Sequence, residues 1–555
     1  MQHAYAPASD LITRFIDDKI VSRLWQRDIG VWGAADGTVD AKSIKSRLGW
    51  LDVASTMAPH LDRITALGEA ARAEGIAEVY LLGMGGSSLC AEVVRSVWGV
   101  ADGYPALHVL DTTDERTITT AAGRLDPRRT LFIVASKSGG TVEVASLERF
   151  FWAHMTAALG GDAGRHFIAI TDPGTALEAL AQSKRYRDVF INPPDIGGRF
   201  SALSLFGLVP CALVGGDARE LLSAGAAMAE GCQQENHENA GLTLGAFIGA
   251  AALAGRDKLT LVLPPSLAAL GLWVEQLVAE STGKHGKGAL PVVDEPLGDP
   301  AEYSSDRAFV AISTDRDHPD EARVAALESA GHPVLRLSTR IAGLGAEFFR
   351  WEFATAVAGA ILGINPFDEP NVSEAKEKTK SLLAAFASKG ALPQPAALGG
   401  SGPIAAFSPN VKGSSPEAVV RAALATIKPH DYVAFLSYLP ATTEVETRVG
   451  EIRNGIRRRH HAATTFGVGP RYLHSTGQFH KGGPNTALAF VITGDDETAT
   501  PIPDAGYTFA TLKQAQALGD AETLAAHDRR VVRLHVAAGG SIADVEALFA
   551  IALRG

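Results

Sequence analysis

The chain has 555 residues, 46% hydrophobic and 20% charged, with a net charge of −11. Its length exceeds what one compact core holds, so two or three domains are expected. The acidic balance excludes a broad nucleic-acid surface, and an anionic ligand would need a local positive site.

The opening MQHAYAPASD lacks the basic-then-apolar pattern of a signal peptide. The longest apolar run, FATAVAGAILG (353–363), falls short of the roughly 20 residues that cross a bilayer. Cys90, Cys211 and Cys232 lie in apolar or helical surroundings without a CxxC pair. They read as buried reduced thiols, and the expected compartment is the cytoplasm.

Residues 10–75 read as helices carrying Trp25, Trp32 and Trp50, without evident chemistry. Apolar strands then alternate with helical stretches. AEVYLLGMGG, ALHVLD (106–111), TLFIVAS (130–136) and HFIAIT (166–171) are each followed by helical sequence. The alternation restarts with KLTLVLPP near 258, then RAFVAIS (307–313), HPVLRLS (332–338) and the helix 347–363. SKGALPQPAALGGSGP (388–403) reads as a linker. A third round follows: DYVAFLSYLP (431–440), a helix over 447–462, TALAFVIT (486–493), RVVRLHV (530–536) and a closing helix.

The pattern predicts parallel sheets wrapped by helices in three-layer α/β/α modules. The expected division is a helical segment 1–70, modules 71–250 and 251–387, and a third module 404–555. STGKHGKG (281–288) and STGQFHKGG (475–483) suggest that the third module duplicates the second.

Two glycine turns stand at predicted strand ends. LLGMGGSSL (81–89) has no Walker lysine and fails the dinucleotide spacing, because Ser88 stands where a third glycine belongs. IVASKSGGTVEV (133–144) sets Ser136, Ser138 and Thr141 on a second turn, with Lys137 adding a charge. Backbone N–H groups at a helix start favour anions, so two such loops in one sheet make a cradle for a phosphate monoester.

These loops resemble the sugar isomerase (SIS) fold, and four further strings are similar to the phosphoglucose isomerase family. They are DIGGRFSALS (195–204), EQLVAESTGK (275–284), FDEPNVSEAK (367–376) and RYLHSTGQ (471–478). The likeness spans roughly residues 75–480. Overall it is nearest to the isomerase half of bacterial fusions with transaldolase, with no transaldolase portion recognised.

The resemblance implies reversible isomerisation of glucose 6-phosphate and fructose 6-phosphate through a cis-enediolate, without metal or organic cofactor. It implies Glu280 as the base, Arg199 as the stabiliser of the enediolate, and His474 with Lys376 as the ring-opening pair. Phosphate and sugar contacts implied are Gly86, Ser87, Ser136, Lys137, Ser138, Thr141, Gly198 and Gln276. A buried carboxylate with a raised pKa suits the base, and a guanidinium suits an enediolate oxygen. His480 is a rival for the ring-opening role. The run RRRHH (457–461) reads as a solvated helix face or a neighbouring contact.

Two departures stand out. The family's glutamine is Glu369 here, where a carboxylate would weaken phosphosugar binding or alter its pH dependence. The histidine segment follows the lysine segment instead of preceding it. In the family that histidine typically comes from a partner subunit, so the order suggests a monomer with the site complete in cis; a homodimer is the alternative. Dual activity on mannose 6-phosphate and a non-catalytic phosphosugar sensor are the alternative readings. No nucleic-acid or membrane partner is expected, and no His/Asp/Glu string has metal-ligand spacing.

Overall fold

The computed structural model describes residues 5–554. Among these described residues fifteen strands form three sheets. The first, β2-β1-β3-β4-β5, is wholly parallel. Its strands are β1 (Glu78–Leu82), β2 (Ala106–Leu110), β3 (Thr130–Ala135), β4 (Phe167–Thr171) and β5 (Asp188–Ile191). The second, also parallel, is β7-β6-β8-β9, from β6 (Lys258–Val262), β7 (Leu290–Val292), β8 (Arg307–Ser313) and β9 (Val334–Ser338). In the third, β12 (Tyr432–Ser437), β13 (Ala463–Val468), β14 (Ala487–Gly494) and β15 (Arg530–Val536) run parallel. An antiparallel hairpin, β10 (Gly399–Ser401) and β11 (Ile404–Phe407), extends its β15 edge.

Among the parallel strands of each sheet, the first lies between the second and the third, and the fourth lies beyond the third. The expected α/β class and its repetition are therefore present, and the repetition includes the first sheet. The string shared by residues 281–288 and 475–483 is not evidence for it. The first copy lies between the opening helix and the second strand of its sheet, the other between the second and third strands. The two strings instead face each other: Gly286 N donates to Gly482 O at 2.9 Å, and Gln478 Nε2 donates to Gly283 O at 2.9 Å.

The predicted linker is shorter than expected. The helix Val372–Lys389 fills its start and the hairpin its end. β5, β7, β10, β11 and β13 escape the sequence pattern, since four are only three or four residues long outside β13 and β13 mixes threonines with apolar residues. One apolar core runs from Ala8 in the N-terminal helices through the first and second sheets to Phe367. The tryptophans explain how the N-terminal segment is held. Trp25 Nε1 donates to Cys232 O, Trp32 Nε1 to Ala356 O, and Trp50 packs on Phe200 and Phe349. All three cysteines are buried and free. No described helix is long and apolar enough to cross a membrane.

Candidate active site

The strand order reverses between β1 and β3, and a parallel sheet opens a crevice at the carboxyl ends of strands at such a point. Both glycine loops leave those ends. Neither following helix, Leu89–Val97 nor Val142–Leu159, has a side chain capping its first turn. Their first N–H groups are thus left for an anion. Ser136 Oγ and Thr141 Oγ1 are 3.0 Å apart across the second loop. Lys137 turns aside: its ammonium pairs with Asp172 and donates to Pro194 O at 2.9 Å. Its charge is largely spent within the protein.

The first loop fits closely under the turn Gly198–Phe200. A Cβ on Gly86 would lie 2.0 Å from Gly198 O, so the backbones touch only because that residue is glycine. Gly85, at φ +54°, approaches Gln276 Nε2 and His474 O in the same way.

Arg199 is 3% exposed and its donors are almost all committed. Nε donates to Ser281 Oγ at 2.7 Å, and Nη2 to the carbonyls of Pro366 and Asp368 at 2.8 Å each. Nη1 donates to Glu369 Oε2 at 3.0 Å and stands 3.5 Å from Glu280 Oε1. The guanidinium is thus fixed in place with its charge facing Glu280.

Glu280 ends the helix Leu270–Thr282 and is 7% exposed. Burial raises its pKa, and Glu369 adds to the rise against the pull of Arg199 and the Gln276 hydrogen bond. Gln276, one turn earlier, donates from Nε2 both to Glu280 Oε2 (3.0 Å) and to His474 O (2.7 Å). That single amide joins the glutamate of the second sheet to the histidine turn of the third, within one chain.

His474 Nε2 is 2.9 Å from Glu143 Oε1, which also accepts from Gln516 Nε2 at 2.7 Å. Burial opposes ionisation of Glu143, but His474 overcomes it and holds the carboxyl below its ordinary pKa. A cavity of about 510 Å³ lies beside this pair, lined by His474, Glu143, Ser138, Thr141 and Lys376. Lys376 is exposed, just past the first turn of the helix Val372–Lys389. His480 is elsewhere: its Nδ1 meets Tyr432 OH at 2.7 Å, and burial, then Lys481, push its pKa down to about 3. It is a neutral core histidine.

Glu369 does not hang free in the ligand space. It lies between Arg199 and Arg47, whose Nη2 is 3.6 Å from Oε1. Burial opposes its charge, but the two arginines hold its pKa below the ordinary value. Arg47 comes from the N-terminal segment that showed no chemistry in the sequence, and Glu143 was hidden inside the second loop string. Lys284 is also buried, donating to Asn365 O and Asp368 Oδ1 at 2.6 Å each, with burial pushing its pKa to about 8. Arg457, from the basic run, is buried and donates to Glu302 Oε2 at 2.9 Å, a contact with the second module.

Among the described residues folding gathers one group of metal-ligand type, Asp257, Asp306 and His430, which no sequence spacing foretold. It is formed around β6, β8 and β12, and the Lys258 ammonium, 2.6 Å from Asp257 Oδ1, already supplies a cation there.

Glycine loops at a switch point, and a helix-borne glutamate facing a fixed arginine, define a protein of the SIS class. The phosphoglucose isomerase family model matches residues 40–295. Glucose-6-phosphate isomerase of Heliobacterium modesticaldum is 32% identical over 304 residues, covering 47% of this chain and 67% of that protein. The enzyme of Rubrobacter xylanophilus is 28% identical over 380 residues, covering 58% and 85%. The chain belongs to the phosphoglucose isomerase family. The solved structure of a glucose-6-phosphate isomerase from Chlamydia trachomatis shares the fold, with TM-score 0.53 and 18% identity over 69% of this chain and 86% of that one. The segment 40–295 includes Arg199 and Glu280 but neither Lys376 nor His474.

Proposed function

We propose that this chain interconverts glucose 6-phosphate and fructose 6-phosphate, with all catalytic groups supplied by one polypeptide. The observation that carries this reading is the Gln276 amide, bonded at once to Glu280 and to the backbone of His474.

The phosphate sits on the loops at Gly86–Ser87 and Ser136–Thr141, against uncapped helix starts. His474, oriented by Glu143, and Lys376 exchange the protons that open the ring. Glu280 then removes the hydrogen on C2 of the open aldose. The electron pair forms the C1–C2 double bond, and charge collects on the oxygens, where Arg199 stands. Glu280 returns the proton to C1 while the proton of the C2 hydroxyl passes to the C1 oxygen, so that O2 becomes the carbonyl and O1 the hydroxyl of the ketose. The raised pKa of Glu280 suits a group that must both take and return a proton. In this reading the set is completed without a second subunit. Cytoplasmic location belongs to the same reading.

The test is fructose 6-phosphate conversion followed through a coupled dehydrogenase. Glu280→Gln should lower kcat by about 10³-fold or more, as loss of a positioned base does. Near-normal turnover in that variant would refute the assignment. Mixing Glu280→Gln with His474→Ala protein should recover no activity; recovery would show that the site is shared between subunits.

A further inference from the structure

A second cavity, of about 480 Å³, shares the histidine turn with the catalytic one. The turn Arg471–His474 walls both, and the helix Leu270–Thr282 walls the second. Gln276 and His474 serve the active site, while Glu275, Arg471, Tyr472 and Ser475 line the second cavity. Glu275 is 6% exposed. Among the described residues it makes no hydrogen bond or ion pair. A buried carboxyl without a partner is costly and calls for an explanation.

The basic groups around it are already engaged. Arg453 donates to the carbonyls of Val293, Asp294 and Thr464. Arg471 makes two bonds to Asp111, at 2.7 and 3.0 Å. Arg453 keeps its charge, since carbonyls are neutral, and it still pulls on Glu275, but acids are in surplus: Glu275 in the wall, with Asp294, Glu446 and Glu451 exposed around it. These carboxyls do not converge on a point. The group of described His, Asp and Glu atoms close enough to share a metal ion lies at Asp257, Asp306 and His430. Leu272, Val293 and Phe466 supply apolar wall between the acids.

Dispersed carboxyls on an apolar wall suit a chain of methylenes with spaced ammonium groups. We propose that this second cavity is a binding site for a small aliphatic polyamine, one ammonium pairing with Glu275. Burial, and then Asp294, push the empty Glu275 up to a pKa of about 8, so an incoming ammonium would displace its proton.

Spermidine titrated calorimetrically into the full chain at pH 7, in two buffers of different ionisation enthalpy, tests this. The expected result is one site per chain, release of about one proton per spermidine, and affinity at least tenfold weaker in Glu275→Gln. Asp294→Asn at the rim should weaken binding less, about threefold, which keeps the test open should the core variant fail to fold. Absence of binding, binding indifferent to both substitutions, or binding without proton release would overturn the proposal. So would Mg²⁺ binding in its place with the same dependence on Glu275.

Discussion

The first and third sheets share a strand order, and their switch points are built for opposite charges. At the first, glycine loops after β1 and β3 lead into helices whose starts no side chain caps. At the third, the helix after β12 is capped by Thr442, whose Oγ1 accepts from Val445 N at 3.3 Å. The loop after β14 carries Asp495, Asp496 and Glu497. Lys513 fills its floor, 2.8 Å from Asp114 and 2.5 Å from Asp496. The parallel sheet supplies a crevice in both places; the loop residues decide that only the first suits a phosphate. The third sheet serves the site from elsewhere, through the β13–β14 connection that carries His474.

The sharpest way to break this comparison is to add one methyl group at each edge. Gly86→Ala would force the first loop away from Gly198 and should cut kcat/KM about a hundredfold, the scale of a 1 Å misplacement. Gly494→Ala at the third edge meets the movable tip of Leu439 and should change kcat/KM by less than about threefold. Similar losses at both edges would erase the distinction.

The link between the two modules is tested by Glu143→Gln. With His474 no longer held by a carboxylate, kcat should fall about 10- to 100-fold with KM little changed, measured by steady-state kinetics on both sugars. A smaller loss is expected from Ser136→Ala, which removes one hydroxyl from the phosphate loop. KM should rise about 3- to 10-fold at constant kcat, the range of one hydrogen bond, while Asp495→Asn leaves both constants alone.

The finest test uses pH. As the proposed base, Glu280 would act only when ionised, so activity should fall as pH drops through its pKa. Glu369 helps keep that pKa raised, and it shares the charge of Arg199. Glu369→Gln should therefore lower the Glu280 pKa and move the acid limb of the kcat/KM profile to lower pH. A limb that stays in place or moves upward would mean that Glu369 does not act on Glu280.

Much of the fold was legible because buried parallel strands are continuous apolar runs between glycine and helical punctuation. RAFVAIS and RVVRLHV match β8 and β15 end to end. Strands of three or four residues carry too little pattern, which is why β5 and β7 were missed. Glu280, Arg199 and the two loops were legible because each sits in a local string. Arg47 and Glu143 were not, since their partners lie more than 300 residues away in sequence.

The sequence by itself determined the α/β class, the two glycine loops and the glutamate and arginine strings, all written in short segments whose backbone geometry depends on local residue type. Only the tertiary structure decided that His474, and not His480, faces the cavity, that Glu369 is neutralised by two arginines, and that Lys137 spends its charge on Asp172. Those outcomes depend on burial and on charges brought together from distant segments, and burial and long-range pairing exist only once the three sheets have packed.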